Sequence, residues 1–272
     1  MGSGISIHLA PLVLFHIGSF PVTNTLVMTV LVSLFLIIVS FFIGRSLKLK
    51  PTGFQAVIEL LVTYPYQFVR ETLGNDKVAE RIYPLVMTIF LLVLFSNWFG
   101  LLPITENIGV YGTGAHEIVP FFYSGATDLN FTLALGIIAF FSIEFFGVTT
   151  IGALKYAKKF ISFKSPMAFV IGFIELISEL ARLISFSFRL FGNIFAGKVL
   201  ILVIMLFIPY VVPVPLMAFE TFVGFIQAAI FALLTLFFTK VAIEMHEEEE
   251  ADHLVREEAK LIEEPAREAK SA

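Results

Sequence analysis

The sequence predicts an all-α integral membrane protein of about five transmembrane spans plus an interfacial helix, and three observations predict it. Hydrophobic residues make up 58% of the chain and charged residues only 15%, with a mean hydropathy of +0.91, too little charge to coat a soluble domain of 272 residues. Apolar stretches long enough to cross about 30 Å of hydrocarbon recur along the chain. The segments between them alternate between rich in Lys and Arg and devoid of both, as loops on opposite sides of a bilayer do.

The first span is expected over about residues 25–44 and the second over about 85–102, each near the roughly 20 residues a transmembrane helix needs. Between them Phe54, Val57, Ile58 and Leu61 recur at three- and four-residue spacing beside Gln55 and Glu59. That is the pattern of a short helix lying in the interface until Pro65 interrupts it. The third span covers about 129–153, the fourth 168–207 and the fifth 216–245. The segment 104–128 carries Gly112, Gly114 and Gly125, which suits irregular structure.

No proline falls within 168–207, and a helix of that length reaches roughly 60 Å, about twice the hydrocarbon thickness. With the fifth span it should form a long, strongly tilted membrane hairpin turning at 209–215. Residues 1–246 then form a membrane domain and 247–272 a charged tail. The tail mixes Glu with Lys and Arg at helical distances, as in Glu257 with Lys260, and reads as a solvated helix broken near Pro265. Docking through Leu254, Leu261 and Ile262 is the alternative. No internal repeat is visible.

Six Lys and Arg residues lie between Arg45 and Tyr83 and four between Lys155 and Lys164, whereas 1–23, 103–128 and 209–215 have none. The basic loops belong inside, so the N-terminus is expected outside and the C-terminus in the cytoplasm. Residues 1–23 also lack the charged start of a secretory signal, so the first segment is expected to be retained. Absence of cysteine removes disulfides, thiol nucleophiles and Cys-ligated metals. The five histidines, His8, His16, His116, His246 and His253, lack metal-ligand spacing on any expected helix. No Walker motif or Gly-rich phosphate loop occurs. No cofactor, metal or nucleic acid is expected, and any coupling to ATP has to come through partners.

The chemistry concentrates in the fourth span. At about 100° per residue, Glu175, Ser178, Glu179, Arg182, Ser185, Arg189 and Asn193 fall in one sector of roughly 120°. Each ionisable group in a span costs roughly 2.5–3.5 kcal/mol on insertion scales, so this stripe must face protein or water. Intrahelical pairing with Glu175 and Glu179 accounts for Arg182. Arg189 has no acidic residue within four positions on its own helix, so its charge must be answered from elsewhere. A guanidinium does not give up its proton and cannot relay one. It acts as a fixed charge that attracts a carboxylate, favours the ionised form and interrupts a continuous proton wire. On the fifth span Glu220 and Gln227 share a face, with Gly224 between them permitting close helix approach.

The run Arg189-Leu190-Phe191-Gly192-Asn193-Ile194-Phe195-Ala196-Gly197 closely resembles the signature of subunit a of F-type ATP synthases, in its bacterial form. Residues 97–104 (NWFGLLPI), Asp128 to Leu133 and Gln227 to Phe231 support the resemblance, which covers nearly everything from the second span to Met245 and leaves the tail outside. It implies a non-catalytic, multi-pass plasma-membrane subunit with two offset aqueous half-channels beside a rotating ring of c subunits, Arg189 facing the ring's carboxylate. The implied partners are that c-ring, the subunit b peripheral stalk, the remaining ATP synthase subunits and the lipid bilayer. By position, Glu175 matches an acidic residue of the cytoplasmic half-channel, Ser185 and Asn193 flank the arginine, and Glu220 and Gln227 match polar positions of the last helix. Glu179 joins the proton path as part of the stripe, and Glu144, inside the third span, either contributes to the cytoplasmic half-channel or pairs with a neighbour.

One position departs from the pattern: Lys198 stands where many relatives carry an acidic group. It points about 180° away from Arg189 and, counted from the turn, lies at the depth of Glu220. The two are expected to pair, the alternative being a neutral Lys198 lining the outer half-channel. A self-contained ion or solute transporter is the competing reading, and the lack of a repeat or paired broken helices counts against it. Proton against sodium is not settled by these residues.

Overall fold

A computed structural model describes residues 11–51, 53–102, 109–111, 118–120, 123–152, 156 and 166–271. Of the described residues 83% are helical, and they form six helices, five of which are long and apolar enough to cross a membrane. A small antiparallel hairpin, Val13–Ile17 (β1) with Phe20–Thr23 (β2), precedes them. The Thr23 hydroxyl then accepts the Leu26 amide and starts α1, Asn24–Ser46, because a side-chain acceptor satisfies one of the orphan donors of a first helical turn. Most of α1 shows large apolar side chains outward, among them Ile37, Ile38 and Phe42.

The interfacial helix, α2, is Phe54–Leu73 and runs through Pro65 instead of stopping there. A proline removes one helical hydrogen bond, which a helix tolerates where the freed carbonyl is answered otherwise. Here α2 is largely exposed around the proline, and the Tyr83 hydroxyl donates to the neighbouring Val62 carbonyl at 2.7 Å. Gly74, at φ +65°, ends α2, since that left-handed backbone conformation suits glycine. Asn75 caps the next helix by accepting the Lys77 and Val78 amides. The second span is accordingly longer than expected: α3 is Asp76–Phe99 and continues through Pro84.

Within the segment expected to be irregular, Gly109–Tyr111 (β3) and Ile118–Pro120 (β4) pair antiparallel. A buried 3-10 turn, Gly125–Thr127, follows. Asp128 caps α4, Leu129–Ile151, accepting the Asn130 amide at 2.9 Å and the Thr25 hydroxyl at 2.8 Å, and so ties the start of α4 to the start of α1. Gly152, at φ +96°, closes α4. Of the basic segment 155–164, Tyr156 alone lies among the described residues.

The long hairpin consists of α5, Pro166–Phe207, 42 residues and unbroken, and α6, Pro213–Ser271. At 1.5 Å per residue α5 is about 63 Å long. The expected break near Pro265 does not occur, because the backbone stays helical from Pro213 to Ser271; a proline removes only one bond of the ladder. The side chains of Leu254, Leu261 and Ile262, with the proposed docking role, lie outside those described.

α6 is the centre of the bundle. It touches α2, α3, α4 and α5, and its most extensive packing is against α3, not its hairpin partner. One core joins Phe186, Leu190 and Ile194 of α5 to Ala228 and Phe231 of α6, Ile89 and Val93 of α3, and Leu135 and Ala139 of α4. A second joins Val69 of α2 to Ala79, Ile82 and Val86 of α3 and to Ala232 and Leu236 of α6.

Candidate functional site

The polar stripe of α5 does not stay on one face of the bundle. Leu190, Phe186 and Ile194 turn into the core, which leaves Ser185, Arg189 and Asn193 on the outer surface of α5. Two to three turns earlier the same sector meets α4 and α6, so Glu179 is buried there, at 5% exposure, with Glu175 and Arg182 half-buried. A stripe constant in angle therefore serves two environments, because α4, at 23 residues, packs along only part of the 42 residues of α5.

Around Glu179 the three helices leave a cavity. Glu144, Ile143, Phe140 and Gly136 line it from α4, Glu179, Arg182, Leu183 and Phe186 from α5, and Phe238, Val241 and Ala242 from α6. Arg182 is held from two sides, Nη2 lying 3.6 Å from Glu175 Oε1 and the guanidinium 4.7 Å from the centroid of the Phe238 ring, within cation–π range. Glu144 and Glu179, nominated separately from the sequence, line this one cavity, and Glu175 adjoins it through Arg182.

Arg189 stands apart from it. Among the described residues nothing within this chain pairs with, hydrogen-bonds to or stacks on its guanidinium. The large exposed side chains nearest to it along α5, Ile184 and Phe188, are apolar. One turn further, Asn193 Nδ2 donates to Gln227 Oε1 at 2.9 Å, and Gln227 is 2% exposed. The position of Arg189 relative to α6 is thus set by a polar tie adjacent to it.

Lys198 and Glu220 lie on the other side of α5, both buried. The Glu220 carboxylate presses on Gly197, where a Cβ would overlap its carboxyl atoms; only a glycine admits it. The Lys198 ammonium lies 3.7 Å from the centroid of the Tyr123 ring, a favourable seat for a desolvated cation. Glu220 thus stands directly beside the residue preceding Lys198.

The close approach expected at Gly224 is made to α3. Asn97 Nδ2 donates to the Gly224 carbonyl at 3.1 Å, Trp98 Nε1 donates to the Thr221 carbonyl at 3.1 Å, and a Cβ at Gly224 would come 3.0 Å from Asn97 Cβ. Asn97 and Trp98 act on α6 by fixing its height against α3. Tyr156 was not singled out from the sequence at all. Its ring packs against Gly147 of α4, one helical turn from Glu144. The feature that could have flagged it is a glycine pair, Gly147 and Gly152, bracketing the end of a span.

The family model described as ATP synthase A chain matches residues 25–240. A Campylobacter jejuni protein called ATP synthase subunit a is 36% identical over 224 residues, 81% of this chain and 85% of its own. Proteins of the same description from Helicobacter hepaticus and Moorella thermoacetica are 33% identical over 223 residues and 30% identical over 231, covering 81% and 84% of this chain and 89% and 94% of theirs.

Proposed function

The chain belongs to the ATP synthase A chain family, and from that premise we propose that it is the proton-translocating stator subunit of a rotary ATP synthase. It is a multi-pass protein of the bacterial membrane that carries protons and leaves nucleotide chemistry to its partners: the c-ring, the subunit b stalk and the remaining ATP synthase subunits. Its basic loops orient it, with the N-terminus outside and the C-terminus in the cytoplasm.

The observation that carries this reading is Arg189. A charged group at mid-membrane costs roughly 2.5–3.5 kcal/mol even after relaxation, and this one lies on the outer surface of α5 with nothing in the described chain answering it. A carboxylate passing on the rotating ring would answer it: held ionised beside Arg189, then reprotonated after moving past. Glu144, Glu175 and Glu179 line the cytoplasmic half-path, and Ser185 flanks the arginine. Glu220, with Lys198, belongs to the outer half-path, and Asn193 and Gln227 orient water or the arginine between them. The fixed charge keeps the two half-paths from joining into one wire.

The test is Arg189→Ala in the assembled enzyme in inverted membrane vesicles. ATP-driven proton pumping and ATP synthesis are expected to fall to background while the c-ring still co-purifies. Coupled pumping surviving the substitution would remove the assigned role.

A further inference from the structure

An aromatic ring on a rigid mount stands beside the buried Lys198. Tyr123 is followed by Ser124, which is fully enclosed, and by the 3-10 turn Gly125–Thr127. The Ser124 hydroxyl donates to the Ser96 carbonyl of α3 at 3.2 Å. Its own carbonyl accepts the Thr127 amide at 3.1 Å and the Thr127 hydroxyl at 2.6 Å. Two glycines admit this seating: a Cβ at Gly100, just past α3, would overlap Ser124, and one at Gly125 would lie 2.7 Å from Thr29 Oγ1 of α1. The turn packs on α1, α3, α4 and α5 at once, and the place of Tyr123 follows from that packing.

The half-buried Tyr123 ring meets the Lys198 ammonium, 3.7 Å from the ring centroid. Lys198 is 5% exposed and immediately follows Gly197, on which the Glu220 carboxylate presses. A lysine is a point charge on a flexible stem, and a buried charge is costly unless its surroundings answer it. The face of an aromatic ring does so through its quadrupole, most strongly where water is excluded. An acid in the same place would also hold the ammonium, but would add a second negative charge beside Glu220. A neutral ring adds none. An unseated ammonium would alternately approach and leave the Glu220 carboxylate, whereas a seated one presents it with a constant field.

We propose that Tyr123 is a positioning residue of the outer half-path, its ring face holding the Lys198 ammonium in one place beside Glu220 while the turn that follows holds the ring. The inference rests on the proton-path reading and extends the outer half-path to a residue ahead of α4, outside both helices of the long hairpin.

The test uses the whole ATP synthase in inverted vesicles, reading ATP-driven proton pumping with c-ring co-purification as the measure of assembly. Tyr123→Leu is expected to slow pumping roughly tenfold, as loss of a desolvated cation–π contact does, and Tyr123→Phe should recover most of the rate. Trifluorophenylalanine at the same position nearly keeps the shape of phenylalanine but draws the negative charge off the ring face, so it should pump several-fold more slowly than Tyr123→Phe. In a Lys198→Met background the two rings should pump alike. Because they share a shape, the comparison of the two rings decides on its own if Tyr123→Leu fails to assemble or Lys198→Met fails to pump. Equal rates for the two rings with Lys198 present, a loss in Tyr123→Phe as large as in Tyr123→Leu, or the same effect of fluorination without Lys198 would overturn the proposal. Arg189→Ala run in parallel separates the two readings: pumping abolished there but indifferent to the ring at position 123 removes only the tyrosine, whereas pumping retained there removes the proton-path role itself.

Discussion

Asn193 donates to Gln227 across the α5–α6 contact at 2.9 Å, one turn from Arg189 on the same outer face of α5. The bond joins an exposed residue to a fully enclosed one, so it fixes the rotation of α5 at the level of the arginine. Cutting the tie from either end should have the same effect. Asn193→Ala and Gln227→Ala are each expected to cost about 1 kcal/mol of stability and to slow ATP-driven pumping. The double variant should be little worse than either single one. Thermal melting and pumping measured on all three would reveal independent effects if the bond were incidental.

Glu220 against Gly197 gives a sharper prediction. Gly197→Ala puts a methyl where the carboxylate lies, so it should disturb proton transport as much as Glu220→Ala does, with c-ring co-purification retained. If Lys198 and Glu220 act as a pair, Lys198→Ala and Glu220→Ala should be non-additive in transport rate. Full additivity would dispose of the pairing.

The Asn97 to Gly224 contact concerns stability. Gly224→Val adds bulk at a position where even a Cβ comes 3.0 Å from Asn97, and overpacking of this kind costs about 1–3 kcal/mol. Its melting temperature should drop more than that of Gly192→Val, because a Cβ at Gly192 meets nothing within 4 Å. Equal drops would show that the α3–α6 approach is not tight.

Tyr156 carries a pH signature. Burial first, then the nearby Glu144 carboxylate, holds its hydroxyl well above the ordinary tyrosine value. The folded chain therefore keeps a proton that the unfolded chain loses near pH 10. The resulting stability is complete below about pH 10 and is lost as pH rises further. Melting temperature should thus fall more steeply for the native chain than for Tyr156→Phe between about pH 10 and 11.5, and parallel curves would count against a buried, neutral phenol.

The five spans were legible because hydrocarbon thickness imposes a length, and α1, α4 and α5 begin and end within about two residues of the apolar boundaries. Pro65 misled for a definite reason. A proline is a local penalty, whereas a helix satisfied by its neighbours can absorb it, and the Tyr83 hydroxyl on Val62 is a contact between residues 21 apart in the chain. The angular stripe on α5 was correct as geometry. What it faces changes along the helix, because the packing of α4 and α6 decides that.

By itself the sequence determined the membrane class, the number of the spans, the isolation of Arg189 from any acid on its own helix and the family resemblance. Each follows from local composition, periodicity or a contiguous motif. Tertiary structure alone decided that α6 packs chiefly on α3, that Glu144 and Glu179 share a cavity, that Gly197 makes room for Glu220, and that Tyr156 folds back onto Gly147. These are contacts between residues distant in the chain, and no period of 3.6 residues encodes which face a neighbouring helix will cover.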